Sequence, residues 1–251
     1  MRLFAMTCGW LTGPIAAFLA GERGAIRVPV PSFLIDHPEG KVLFDSGLHP
    51  AIATDGIARL IPAARIFTPH FGAGDDVASR LARLGIDPGE IRYLVNSHLH
   101  FDHSGGNALV PNARLVLQRR EWEAGQDPDL VARNAYDPRD YNTCHDPLLI
   151  DGEHDLFGDG RIVCIPTYGH TPGHQSLRLR LDRREIVLSA DACYLRRTLD
   201  ELRLPVVAYD REAMLESLKL LRRLRQRGAQ VFYGHDPEFW EGVPQAPAEV
   251  I

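Results

Sequence analysis

The chain has 251 residues, with 28 Lys+Arg against 33 Asp+Glu and a formal net charge of −5. Apolar residues make up 45% and charged residues 24%, ordinary for a globular protein, and the length buries a core without disulfides. A mildly acidic chain without a long basic run argues against nucleic acid as its main partner.

Residues 3–20 carry no charge, but Thr7, Gly9, Thr12, Gly13 and Pro14 interrupt any continuous apolar helix. They read as a first strand over 2–8 and then a surface loop, not as a signal peptide or a membrane span. Residues 28–35 read as a strand that Pro29 and Pro31 push to a sheet edge. Strands follow at 41–44, 93–95, 113–117, 161–165, 176–181, 185–189 and 230–233. Over 176–181 every second residue is apolar, which predicts one wet face and one buried face. Asp75 or Asp76 can cap a helix carrying Val77, Leu81 and Leu84, closed by Gly85. Asp210 can cap a longer one with Met214, Leu218 and Leu221 at helical spacing. Its Arg222, Arg223, Arg225 and Arg227 read as a solvated face near the C-terminus, where cations suit the helix dipole. Residues 123–146 hold few periodic apolar residues and read as a long loop with at most a short helical piece.

No repeat, composition shift or linker divides the chain, so residues 1–251 are expected to form a single domain. Cys8, Cys144, Cys164 and Cys193 form no CxxC pair and read as free thiols of a cytoplasmic protein.

Chemistry concentrates in His98-Leu99-His100-Phe101-Asp102-His103, directly after the strand at 93–95. In extended chain, residues i and i+2 point to the same side, so His98 and His100 can grip one metal ion. Once the chain turns, Asp102 and His103 can reach a second. His170, Asp191 and His235 each lie at or just beyond the end of a predicted strand, beside small residues that permit tight turns. Together these are five His and two Asp: two three-ligand sets and one carboxylate able to bridge. Two ions ~3.5–4 Å apart suit hydrolysis, because attacking and leaving oxygens are both stabilised.

The HxHxDH block, the later Gly169-His170, the strand-end Asp191 and the final Gly234-His235 resemble the metallo-β-lactamase fold superfamily in order and rough spacing. That resemblance implies an α+β fold, an αββα sandwich of two mixed sheets flanked by helices. It also implies two divalent ions, with zinc first and iron, cobalt or manganese open. His98, His100 and His170 would hold one ion, Asp102, His103 and His235 the other, and Asp191 would bridge. Asp45, in an Asp-x-Gly element, would orient the ligand loop.

Within the superfamily the chain is most similar to the N-acyl homoserine lactone lactonases, the quorum-quenching enzymes. The similarity rests on residues 98–107, on 169–176 and on Ser189-Ala190-Asp191-Ala192-Cys193-Tyr194. It implies an acyl lactone as small-molecule substrate, no membrane partner and a homodimer as in relatives. The expected chemistry is attack by a metal-bridging hydroxide, with Tyr194 donating to the developing oxyanion and Asp102 passing a proton to the leaving oxygen. His174 has no vacant ligand slot and Cys193 is read as a small buried residue. Met6, Trp10, Leu11, Phe18 and Leu19 are expected to cover the metal edge or to pack in the core. The alternatives are another hydrolase of this fold, acting on a different lactone or a glyoxalase II-like thioester, and a mono-iron persulfide dioxygenase.

Overall fold

A computed structural model describes residues 1–182 and 184–251. Strands β1 (Arg2–Pro14), β2 (Ala25–His37), β3 (Gly40–Phe44), β4 (Thr68–His70), β5 (Ile91–Val95), β6 (Arg114–Gln118) and β7 (Pro147–Ile150) form one mixed sheet. Its order is β4-β1-β2-β3-β5-β6-β7. The second sheet takes β8 (His154–Asp155), β9 (Ile162–Pro166), β10 (Gln175–Leu181), β11 (Arg184–Leu188) and β12 (Gln230–Phe232), in the order β12-β11-β10-β9-β8.

The strand sequences explain the layering. In β1, Leu3 and Ala5 join an apolar cluster with Leu177, Leu179, Ile186 and Leu188 of the second sheet, whereas Phe4 and Met6 face away. Those outward residues pack with Val77 and Leu81 of the helix Val77–Ala82. On the far side, Met214, Leu218 and Leu221 of the helix Arg211–Gln226 cover Val163, Ile165 and Val187. Strands buried on both faces read as continuous apolar runs. The result is helix, sheet, sheet, helix. In β10, Leu177 and Leu179 are buried as expected, but of the face expected to be wet only Arg180 is exposed: Arg178 is half-buried and Ser176 buried.

Three expectations are corrected. First, β2 is not an edge strand, since β1 and β3 flank it. Its β3 partners begin only at Phe33, so Pro29 and Pro31 lie where β1 alone pairs with it, beside the register shift between Thr7 and Trp10. The missing N–H groups interrupt no ladder on the β3 side. Second, β1 runs to Pro14 through the expected surface loop, held by β2 and β4. Tertiary pairing overrides the low strand propensity of Gly and Pro there. Third, residues 123–146 are largely helical: Arg119–Gln126, Pro128–Asn134 and Pro138–Tyr141. Asp127 and Asp137 cap the last two with Pro at the first helical position. That is a local start signal outweighed, in the sequence reading, by missing periodicity.

Candidate metal centre

β3, β5, β9, β11 and β12 deliver their C-terminal ends to one edge of the sandwich, and the site is built from the turns that follow. Asp45 follows β3, and His98 to His103 follow β5 with Phe101–Ser104 wound into a helical turn. His170 lies between β9 and β10, Asp191 in a 3-10 turn after β11, and His235 after β12. Gly169 sits at φ 120°, and a Cβ there would stand 2.1 Å from the Met214 backbone nitrogen, so only glycine lets the His170 loop lie on the long helix.

The seven side chains converge as two groups. His98 Nε2, His100 Nδ1 and His170 Nε2 stand 2.9, 3.0 and 3.2 Å from one another. Asp191 Oδ2 joins them, 3.3 Å from His170 Nε2 and 3.7 Å from His98 Nε2. In the second group, Asp102 Oδ2 is 3.7 Å from His103 Nε2 and 3.6 Å from His235 Nε2. Asp191 Oδ1 reaches this group too, at 3.2 Å from His103 Nε2 and 3.0 Å from His235 Nε2. One carboxylate thus offers an oxygen to each cluster.

These donors suit metal ions. A ring nitrogen has one in-plane direction, so three that converge cannot hydrogen-bond pairwise. Their spacing is close to the ~3.3 Å between nitrogens sharing a tetrahedral ion at 2.0–2.1 Å. The outer nitrogens fix the tautomers. His100 Nε2 donates to the Asn134 carbonyl (2.8 Å), His235 Nδ1 to the Pro29 carbonyl (2.8 Å), and His103 Nδ1 to Asp45 Oδ2 (2.8 Å). Ser97 Oγ gives its single proton to Asp45 Oδ2 (2.9 Å), so it accepts from His98 Nδ1 at 2.8 Å. In the neutral rings each of these inner nitrogens therefore presents its lone pair.

Charge agrees. Burial pushes the His98 and His170 imidazoles well below their usual range. At His103 burial also pushes down, but Asp191, Asp102 and Asp45 outweigh it and hold the ring well above that range. The second group therefore favours positive charge, which a dication supplies more fully than a proton. His103 Nε2 and Asp191 Oδ1 are buried and hydrogen-bond to nothing, despite their proximity. Buried polar atoms of that kind need a partner.

Asp45 lies behind His103, on the side away from Asp102 and Asp191. Its carboxylate accepts from Ser97 N (2.7 Å), Ser97 Oγ and His103 Nδ1. Tyr194 is buried, with its hydroxyl 3.1 Å from His170 Nδ1. His174 belongs to neither group; its Nδ1 meets Thr167 Oγ1 at 2.9 Å. Cys193 is buried and its thiol donates to the Leu195 carbonyl. Of the five N-terminal apolar residues, Phe18 reaches the rim, its ring 5.3 Å from Tyr194 and 5.6 Å from His235. Leu11 and Leu19 pack in the same cluster, but Met6 faces the outer helices and Trp10 stacks under Arg27 and packs on the cluster between the sheets. The carbonyls of Pro29 and Asn134 could not be read from the sequence, since a backbone acceptor carries no residue signature. A cavity of about 510 Å³ lies between Ile61 to Ala63 and the capped helices, with Val131 and Tyr136 in its wall; none of the seven convergent side chains lines it. The Tyr136 ring lies 5.6 Å from that of His100.

The chain matches the metallo-beta-lactamase superfamily over residues 25–235. It is 35% identical to the N-acyl homoserine lactonase AttM of Azorhizobium caulinodans over 237 residues, covering 90% of this chain and 89% of that one. It is 30% identical over 226 residues to an N-acyl homoserine lactonase of Bacillus cereus, covering 88% and 87%. Its structure superposes with a TM-score of 0.88, at 26% identity and 99% and 98% coverage, on an N-acyl homoserine lactone hydrolase. That enzyme has the product N-hexanoyl-L-homoserine bound at its catalytic metal centre. No helix among the described residues is long and apolar enough to cross a membrane.

Proposed function

The chain belongs to the metallo-β-lactamase superfamily and, within it, to the N-acyl homoserine lactonases, and on that footing we propose that it opens the lactone ring of N-acyl homoserine lactones by metal-dependent hydrolysis, a quorum-quenching activity. The observation that carries this reading is the pair of donor groups joined by Asp191.

His98, His100 and His170 would hold one divalent ion, Asp102, His103 and His235 a second, and Asp191 would give an oxygen to each. Mixed imidazole and carboxylate donors suit zinc, and also iron, cobalt or manganese. Two ions there would supply Lewis acidity, which activates water at neutral pH and polarises a carbonyl.

The protein supplies the rest. Tyr194 accepts from His170 Nδ1–H, which leaves the phenol proton free for the lactone carbonyl oxygen as it gains charge. When the acyl carbon–oxygen bond breaks, the ring oxygen needs a proton, and Asp102 is placed to return the one taken from water. Cys8, Cys164 and Cys193 are buried free thiols, which suits a reducing cytoplasm.

A pH-indicator assay tests the reading, with homoserine lactones of several acyl lengths set against a simple γ-lactone and a thioester. The acyl homoserine lactones should turn over fastest. Preference for the thioester would overturn the lactonase assignment.

A further inference from the structure

Glu121 opens the helix Arg119–Gln126, yet its side chain is fully buried. Its carboxylate accepts four hydrogen bonds. Oε1 takes Leu99 N (3.1 Å) and the Tyr136 hydroxyl (2.6 Å); Oε2 takes Gly173 N (2.7 Å) and the Thr171 hydroxyl (2.9 Å). All four donors are neutral, so no ion pair offsets the burial, and a buried carboxylate persists only because its acceptor sites are filled.

The donors share a destination. Leu99 lies between His98 and His100. Thr171 and Gly173 belong to the loop that carries His170. Tyr136 sits two residues beyond Asn134, whose carbonyl orients His100. A Cβ on Gly173 would stand 2.4 Å from Glu121 N, so that loop rests directly on the start of the Glu121 helix. Among the described residues, Glu121 makes no hydrogen bond to Asp102, His103 or His235; Asp45 and Pro29 brace that side instead.

We propose that Glu121 is a positioning residue for the three-histidine half of the centre, clamping the segments that carry His98, His100 and His170 into one frame. The inference rests on the metal reading above. Each carboxylate oxygen takes one backbone N–H and one hydroxyl. In Glu121→Gln the hydroxyls can reverse to accept from the amide, but backbone N–H groups cannot. The amide nitrogen therefore orphans either Leu99 N or Gly173 N, and Glu121→Ala orphans both.

The test is metal retention in the purified full-length chain loaded with zinc or cobalt, with metal per chain measured across a chelator titration. The wild type should hold two ions. Glu121→Ala should lose one of them at a chelator concentration at least tenfold lower, and keep the other. Glu121→Gln should fall between, and carries the test alone if the alanine variant fails to fold by circular dichroism. In the cobalt form, part of the visible absorption should go with the first ion and the remainder persist. Folded variants that retain both ions like the wild type, or that lose both together, would overturn the role of Glu121. A wild type that binds no metal would instead overturn the metal reading itself.

Discussion

The Tyr194 hydroxyl lies 3.1 Å from His170 Nδ1, and with a cation on His170 Nε2 it would accept there rather than donate. The direction follows from the other end of the ring. His170 Nε2 faces His98 and His100, where only a lone pair fits a shared cation, so the proton of neutral His170 resides on Nδ1. Burial holds the Tyr194 phenol well above its ordinary range, and a hydroxyl that accepts from His170 keeps its own proton available to donate.

Tyr194→Phe removes that donor and little volume. Turnover of an acyl homoserine lactone should fall about 10²-fold, the scale for losing one oxyanion donor, while both ions stay bound. Steady-state kinetics with metal analysis of the same sample would check it. An unchanged kcat at full metal content would remove Tyr194 from the mechanism.

Asp45 sits at φ 58°, a left-handed conformation that Asn tolerates, so Asp45→Asn tests the carboxylate without disturbing the backbone. The amide oxygen can serve either Ser97 N or the pair His103 Nδ1 and Ser97 Oγ, but not all three donors together. Affinity for the ion next to His103 should drop about 10- to 100-fold, the usual cost of losing a ligand's outer partner. Titration with a competing chelator would measure it.

Arg59 ties the helix Pro138–Tyr141 to the 3-10 turn Gly56–Arg59. Its guanidinium pairs with Asp137 at 2.8 Å and with Asp140, and all three side chains are almost fully buried. Arg59→Leu strands Asp140 and should cost about 3 kcal/mol or more, seen as a lower Tm and faster hydrogen exchange over residues 128–142. The loss should depend on pH. Burial pushes the Asp140 carboxyl up to about 7, with Arg59 pulling against it. A group whose pKa rises on folding adds stability at low pH and loses it as pH rises through the folded value. Removing Arg59 raises that value further, so the Tm deficit of the variant should be larger at pH 8 than at pH 5. A deficit independent of pH would argue against a stranded carboxylate.

Much of the site was legible because its residues cluster in the chain. His98, His100, Asp102 and His103 fall within six positions, and no packing role asks for that order. His170, Asp191 and His235 were legible by place, each just past a run that reads as a strand. The helical stretch over 128–141 was not, although Asp127-Pro128 and Asp137-Pro138 are helix starts. Its helices are short and held by Tyr136 and Tyr141 packed from one side, a pattern too brief to show a period. Pro29 and Pro31 misled for a related reason: whether a strand end is single-flanked depends on where β3 begins to pair, which is a long-range fact.

The sequence by itself determined the chemistry, because ligand types and their local spacing are written residue by residue, and it determined the layering through apolar runs and alternation. The partition of the donors into two groups was expected through the family resemblance, and the tertiary structure supplies the contacts that make it. That Asp191 turns one oxygen to each group, that backbone carbonyls of Pro29 and Asn134 set two tautomers, and that Glu121 joins two loops 72 positions apart in Leu99 and Thr171 are relations between distant segments. Hydrogen bonds to backbone atoms leave no mark on residue type, so they become visible only once the chain has closed around them.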